Sequence, residues 1–85
     1  MNLLENGQKY IVVVSHGFVY VGEVAGVEGG LVVTNARNIR RWGTTEGLGE
    51  LRNGPTEDTV LDQVGTVRIP LHSLVHLIDV AQNAW

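Results

Sequence analysis

Runs of β-branched and aromatic residues mark the first third of the chain. The segments KYIVVV (9–14) and FVYVGEV (18–24) predict two strands, with a hairpin turn at residues 16–17 between them. Apolar side chains occupy both alternating faces of the second segment, which is typical of a sheet covered on both sides. A further turn is predicted at residues 28–30, where two adjacent glycines adopt positive φ angles freely.

The middle of the chain changes character after a third predicted strand, LVVTNARNI (31–39), which completes an antiparallel meander. Thr44 or Thr45 is then predicted to cap a short helix over EGLGELR (46–52). The glycines in this helix cost it about 1 kcal/mol each, so it needs tertiary support. The polar segment NGPTEDT (53–59) predicts an exposed loop.

The last third returns to strand patterns. VGTVRIP (64–70) predicts a strand, LHSL (71–74) a tight turn, and VHLIDV (75–80) a further strand. A helix over 71–82 is the competing prediction, because its apolar residues also fit helical spacing. Together the elements predict a mainly β (α+β) fold: a small antiparallel sheet or partly open barrel of about five strands with one short helix.

Length and composition add an expectation of assembly. The chain has 85 residues, which suits a single domain (1–85), and 44% of them are hydrophobic. A domain this small buries only about 60–65% of the surface that its unfolded chain exposes. No cysteine is present to form disulfides. We therefore expect a homo-oligomer that completes the core between subunits.

Charge and hydropathy limit the classes of molecule that the protein is expected to bind. The net charge is −3 and the pI is about 5.4, whereas proteins that bind duplex DNA usually carry a basic stripe. The charge therefore argues against duplex nucleic acid and favours a small anion that is held locally. No apolar run approaches the roughly 18 residues of a membrane helix, and no signal-peptide pattern is present, so we expect a cytoplasmic protein without membrane contacts.

The segment TNARNIRRWG (34–43) departs from this acidic balance. Arg37, Arg40 and Arg41 are three of the six cationic residues, Trp42 follows at once, and the segment contains no carboxylate. The planar fork of arginine matches phosphate oxygens, and stacking of a base on tryptophan is worth about 1–3 kcal/mol. Free N–H groups at the start of the predicted helix add an anion site. These three chemistries together suit a nucleotide.

A structural interpretation stands beside this one. Tryptophan in a small domain usually buries its large apolar ring in the core. The arginines are then a solvated face, or they pair across an interface with Glu46, Glu50 or Asp62. Both interpretations stay open at the level of sequence.

Catalytic and metal chemistry have little support in the sequence. Ser15-His16 and His72-Ser73 are sequence neighbours, whereas a nucleophile and its base seldom are. His72 and His76 would share a metal-binding face only on a helix. The sequence therefore predicts no enzyme, no metal site and no cofactor.

The segment TNARNIRRWGTTEGLGEL resembles the signature of a group of small bacteriophage proteins. In that group a glycine-containing hairpin leads into N-A-R-x-I-x-x-W and then into a short helix with spaced leucines. The matching residues here are Asn35, Ala36, Arg37, Ile39, Trp42, Leu48 and Leu51. The resemblance covers roughly residues 10 to 80, and it departs from the group's pattern at Arg41 and at the glycines 47 and 49.

The resemblance implies a phage sponge protein, an anti-CBASS inhibitor that acts in the host cytoplasm. Such a protein holds a cyclic dinucleotide such as cyclic GMP-AMP without cleaving it, in pockets that a small oligomer can build between subunits. The alternative is a structural or interaction oligomer whose Arg-Trp segment is a protein–protein interface. The predicted ligand-binding residues are, from the motif, Asn35, Arg37 and Trp42 and, from position and chemistry, Arg40, Thr45, Tyr10 and Tyr20.

Overall fold

The computed structural model describes residues 3–85, and its central feature is a five-stranded antiparallel sheet. The strands are β1 (Gln8–Val14), β2 (Val19–Val27), β3 (Gly30–Arg41), β4 (Val60–Pro70) and β5 (Leu74–Asp79), in the order β4-β3-β2-β1-β5. Three short 3-10 turns cover Ser15–Gly17, Leu48–Asn53 and Leu71–Ser73. The predicted mainly β fold with about five strands is confirmed. None of residues 3–85 belongs to a helix long and apolar enough to cross a bilayer.

Three strands, β2, β3 and β4, are longer than the sequence pattern indicates by more than one residue. β3 continues to Arg41 and β4 begins at Val60, because the pairing of these two residues extends the ladder. The segment after β4 is not a helix, since the turn Leu71–Ser73 leads directly into β5, which pairs with β1. The strand prediction for residues 75–80 is confirmed and the competing helix over 71–82 is wrong.

The predicted helix over 46–52 is a 3-10 turn, Leu48–Asn53. Gly47 precedes this turn with a φ of 98°, a conformation that favours glycine, and no side chain caps it. The prediction that Thr44 or Thr45 caps a helix is therefore wrong. Glycines at 47 and 49 oppose a regular helix, so the chain makes only the shorter turn.

Apolar side chains fill both faces of the sheet, as the alternating pattern predicts. Val12 lies in one buried cluster and its neighbour Ile11 in the other, because successive strand residues point to opposite faces. The first cluster contains Ile69 from β4, and Leu77 from β5 packs against it. These two strands lie at opposite ends of the strand order, so the open sheet curls around the first cluster.

Residues outside the sheet close the second cluster. Leu51 of the 3-10 turn is completely buried there, and Val80 and Trp85 of the C-terminal segment pack beside it. This face of the sheet is therefore covered by two segments that are distant in sequence. The candidate site lies where these two segments contact each other.

Candidate functional site

A β-bulge at Asn35 interrupts β3 in the middle of the N-A-R motif. The pairing register shifts there against both neighbours, between Val33 and Ala36 toward β4 and between Val21 and Glu23 of β2. Asn35 has a φ of 50°, in the left-handed region that asparagine enters more readily than most residues. Backbone geometry thus explains the residue type at this motif position.

Gly22 of β2 lies against the bulge. A Cβ atom at Gly22 would lie 2.8 Å from the carbonyl oxygen of Thr34 and 3.2 Å from the Cα of Ala36. Only glycine lets the two backbones approach so closely. The bulge and Gly22 therefore form one local unit. This unit fixes the backbone of β3 just before Arg37.

Arg37 follows the bulge and forms the arginine–tryptophan pair that the sequence indicates, but with a different tryptophan. The guanidinium carbon of Arg37 lies 5.4 Å from the ring centroid of Trp85. This distance suits a cation–π contact, worth roughly 0.5–2 kcal/mol depending on its exposure to solvent. Trp85 thus has the place beside Arg37 that the sequence assigned to Trp42.

Hydrogen bonds hold Trp85 and the segment that precedes it in position. Its indole Nε1 donates to the carbonyl oxygen of Leu51 at 2.9 Å. The N–H of Ala81 donates to the carbonyl oxygen of Arg52 at 2.8 Å, and that of Ala84 donates to the carbonyl oxygen of Ala81 at 3.0 Å. The ring is fixed in place but only partly buried, so it presents a preorganised aromatic surface.

Lys9 of β1 connects the same segment to the sheet. The Lys9 N–H donates to Gln82 Oε1 at 2.7 Å, and Gln82 Nε2 donates to the Lys9 carbonyl oxygen at 3.0 Å. The Lys9 ammonium donates to the carbonyl oxygen of Gln82 at 3.0 Å. These bonds bring a second cation close to the pair of Arg37 and Trp85.

A cavity of about 340 Å³ opens between the bulge and Trp85, and we call it the Arg37 cavity. Among its side chains are two cations, Lys9 and Arg37, and one carboxylate, Glu23, in a chain of net charge −3. The Glu23 carboxylate accepts a hydrogen bond from Asn35 Nδ2 at 3.2 Å. The remaining lining residues are Val21, Gly22, Ala36, Gln63, Gly65 and Trp85.

Arg40 and Trp42 do not line this cavity. Arg40 Nε lies 2.9 Å from Asp62 Oδ2 at the surface, with the side chains 66% and 44% exposed, so the pair contributes about 0–1 kcal/mol. Trp42 is 42% exposed, and its carbonyl oxygen accepts a hydrogen bond from the Thr59 hydroxyl at 2.7 Å. The pairing of an arginine with Asp62, one of the structural alternatives, therefore occurs within the chain.

The predicted anion site at Thr44–Glu46 is filled by the protein itself. Glu50 Oε1 accepts hydrogen bonds from the N–H groups of Thr45 and Glu46 at 3.3 and 3.2 Å. The same oxygen lies 3.3 Å from the Thr45 hydroxyl, which also donates to it. The prediction of free N–H groups is wrong, because the Glu50 carboxylate accepts hydrogen bonds from them.

Tyr10 and Tyr20 belong to the opposite face of the sheet. Tyr10 is 8% exposed in the first cluster, and its hydroxyl accepts a hydrogen bond from the Glu5 N–H at 2.9 Å. Tyr20 packs against the same cluster and stacks on Phe18, with ring centroids 6.5 Å apart. The structure therefore separates both tyrosines from Arg37, which faces the second cluster.

The three histidines belong to three different elements. His16 and His72 are in different turns, and His76 is on β5, where strand geometry removes the helical spacing that a shared metal face requires. Within residues 3–85, no group of three or more acidic, histidine or cysteine residues is placed to hold a metal ion.

Sequence reasoning missed Trp85, Lys9 and Gln63 as candidate site residues. Each is distant in sequence from the N-A-R motif, so no local pattern connects them to Arg37. One signal was present for Trp85, since it is one of only two tryptophans in the chain. Its role depends on the return of the C-terminal segment to β1, which only the folded chain shows.

No family model, characterised protein or solved structure matches this chain.

Proposed function

We propose that this protein is a phage-encoded, non-enzymatic sponge that binds a cyclic dinucleotide such as cyclic GMP-AMP and thereby inhibits antiphage defence in the host cytoplasm. The observation that carries the proposal is the guanidinium of Arg37 over the ring of Trp85, at 5.4 Å, in a cavity that also contains Lys9. Planar stacking groups and two cations meet there in an otherwise acidic chain.

Each group in the cavity matches part of a nucleotide. The Arg37 fork and the Lys9 ammonium suit phosphate oxygens, the former bidentately and the latter as a point charge. Trp85 and the plane of the Arg37 guanidinium offer stacking surfaces for a base. The amides of Asn35 and Gln63 can donate to or accept from base edges.

The lining of the cavity supports binding without cleavage. None of its ten residues is a serine, threonine, cysteine or histidine. Hydrolysis of a phosphodiester needs an activated nucleophile and a proton acceptor in the right geometry, or a bound metal. Glu23 has the only carboxylate side chain in the lining, and it already accepts a hydrogen bond from Asn35.

The size of the cavity supports assembly. A volume of about 340 Å³ is at the lower end of the range of about 300–1,000 Å³ typical of ligand pockets. It suits one nucleotide unit better than two. We therefore propose that the sponge is a homo-oligomer in which a second subunit covers the remainder of the ligand.

A thermal-shift screen tests the function. Purified protein is heated with cyclic dinucleotides, cyclic oligonucleotides, mononucleotides and ADP-ribose. A ligand at 100 times its Kd adds about 2.7 kcal/mol of stability, which raises Tm by roughly 10 °C or more in a domain of this size. After heat denaturation, chromatography should recover the cyclic dinucleotide intact. If no ligand raises the Tm, the binding function is contradicted. If the ligand is consumed, the proposal of a sponge is contradicted.

One observation favours the alternative function as an interaction protein. Trp42 is 42% exposed next to Arg41, which is also exposed and precedes it in the motif. An exposed tryptophan beside arginine is typical of the residues that anchor protein–protein interfaces. If no nucleotide raises the Tm and Trp42→Ala abolishes capture of a partner protein, the results support the function as an interaction protein.

A further inference from the structure

Glu23 has the only carboxylate side chain in the lining of the Arg37 cavity, and strand pairing places it beside both cations. It follows Val21 by two positions on β2, and alternate residues of a strand share a face. Val21 belongs to the second cluster, so Glu23 points to that face of the sheet. The cross-strand partner of Glu23 on β1 is Lys9, and the partner of Val21 on β3 is Arg37.

Neither cation forms an ion pair with this carboxylate. Within residues 3–85, Glu23 makes no salt bridge. The Lys9 ammonium donates instead to the carbonyl oxygen of Gln82 at 3.0 Å, and the Arg37 guanidinium lies over the Trp85 ring. The Glu23 carboxylate is therefore available as a hydrogen-bond acceptor for a ligand.

Asn35 fixes the direction of the carboxylate. Its Nδ2 donates to Glu23 Oε1 at 3.2 Å, and the β-bulge holds the Asn35 backbone at a φ of 50°. The other oxygen, Glu23 Oε2, makes no hydrogen bond to any of residues 3–85. An ionised carboxylate has about four acceptor sites on its two oxygens, so both can accept further hydrogen bonds. The half-buried Glu23 thus presents two acceptors side by side in a fixed direction.

The chemistry of this carboxylate distinguishes one nucleobase from the others. A carboxylate repels phosphate, so the part of a nucleotide that contacts it is a base edge with N–H donors. Guanine has two adjacent donors, N1–H and N2–H, which match the two oxygens of a carboxylate. Adenine and cytosine place a ring-nitrogen lone pair beside their amino group, and uracil has a single N–H between two carbonyl oxygens. Guanine is therefore the base that Glu23 fits.

We propose that Glu23 makes the Arg37 cavity selective for guanine, accepting hydrogen bonds from N1–H and N2–H while the base stacks on Trp85. Asn35 is a positioning residue, because its amide holds the carboxylate that contacts the base. The volume of about 340 Å³ supports this assignment, since it suits one nucleotide unit. The inference rests on the proposed function as a cyclic dinucleotide sponge, and it names the part of the ligand that the cavity binds.

Calorimetric titration with three cyclic dinucleotides tests the selectivity. The wild-type protein should bind cyclic di-GMP about tenfold to 100-fold more tightly than cyclic di-AMP, which is the discrimination that a bidentate pair with a base usually gives. Cyclic di-IMP should have intermediate affinity, because hypoxanthine keeps N1–H and lacks the N2 amino group. In Glu23→Gln the preference for cyclic di-GMP should be lost, since the glutamine amide has only one acceptor oxygen.

The readout is the ratio of the two dissociation constants, in which a uniform effect of the lost charge cancels. Glu28→Gln is the matched control, because Glu28 is exposed in the turn after β2 and does not line the Arg37 cavity. It loses the same charge and should keep the wild-type ratio. Asn35→Gly keeps the positive φ and removes the amide, so its ratio should fall toward that of Glu23→Gln.

The outcomes separate this inference from the proposed function. If the wild type binds cyclic di-GMP and cyclic di-AMP equally well, the selectivity is overturned and the sponge function stands. If Glu23→Gln and Glu28→Gln change the ratio by the same factor, the role of Glu23 is overturned. If none of the three dinucleotides binds, the proposed function fails and the inference fails with it.

Discussion

Arg37→Ala is expected to lower the affinity for a cyclic dinucleotide by about 30-fold or more. The substitution removes a charge-assisted hydrogen bond to phosphate, worth about 2 kcal/mol, and each 1.4 kcal/mol corresponds to tenfold in Kd. It also removes the guanidinium from its position 5.4 Å from the Trp85 ring. Isothermal titration calorimetry on the wild type and the variant measures the change directly.

Arg40→Ala is the matched control for this experiment. Arg40 is on the same strand, but its guanidinium pairs with Asp62 at the surface and does not line the Arg37 cavity. Its removal should leave the affinity within about twofold, because an exposed pair contributes about 0–1 kcal/mol and makes no contact with the ligand. Equal losses for the two variants would mean that the arginines act only through general charge, and the assignment of the cavity would fail.

Leu51→Ala is expected to lower the free energy of unfolding by about 2–5 kcal/mol. Leu51 is completely buried in the second cluster, where the 3-10 turn Leu48–Asn53 covers the sheet, so truncation leaves a cavity. The Tm should fall by roughly 10 °C or more, since 1 kcal/mol corresponds to about 4–8 °C in a domain of this size. Urea and thermal unfolding followed by circular dichroism measure both quantities.

Leu71→Ala provides the comparison for the core substitution. Leu71 is 57% exposed in the turn before β5, so the same change of residue type should alter stability by no more than about 0.5 kcal/mol. If both leucine variants unfold at the same urea concentration, the second cluster does not stabilise the fold as described. Truncation of the Leu51 side chain should also loosen Trp85, which packs against the same cluster, although the Leu51 carbonyl oxygen that accepts the indole hydrogen bond is kept.

Arginines that are close together in the sequence have different surroundings in the folded chain. Arg37 and Arg40 are three positions apart on an extended strand, so they point to opposite faces. One contacts Trp85 and the other pairs with Asp62 on β4. Arg40 therefore needs no carboxylate inside residues 34–43, because its partner comes from the neighbouring strand. For Arg37, the proposed ligand supplies the negative charge.

The sequence by itself determined that the fold is mainly β and roughly where the first strands lie. Apolar residues on both alternating faces of residues 18–24 predicted a sheet covered on both sides, and two clusters fill those faces. Turn residues placed the breaks at residues 16–17 and 28–30 correctly, because positive φ restricts the residue types locally. Such local signals depend only on near neighbours, so the chain alone contains them.

Only the tertiary structure decided which groups meet. Trp85 reaches Arg37 because Gln82 pairs with the backbone of Lys9, more than seventy residues away in sequence. Glu50 fills the donors at Thr45 because the chain makes a short 3-10 turn instead of a capped helix. Contacts of this kind depend on the register of the ladders and the path of connecting segments, and those depend on the packing of the whole chain rather than on any single stretch of it.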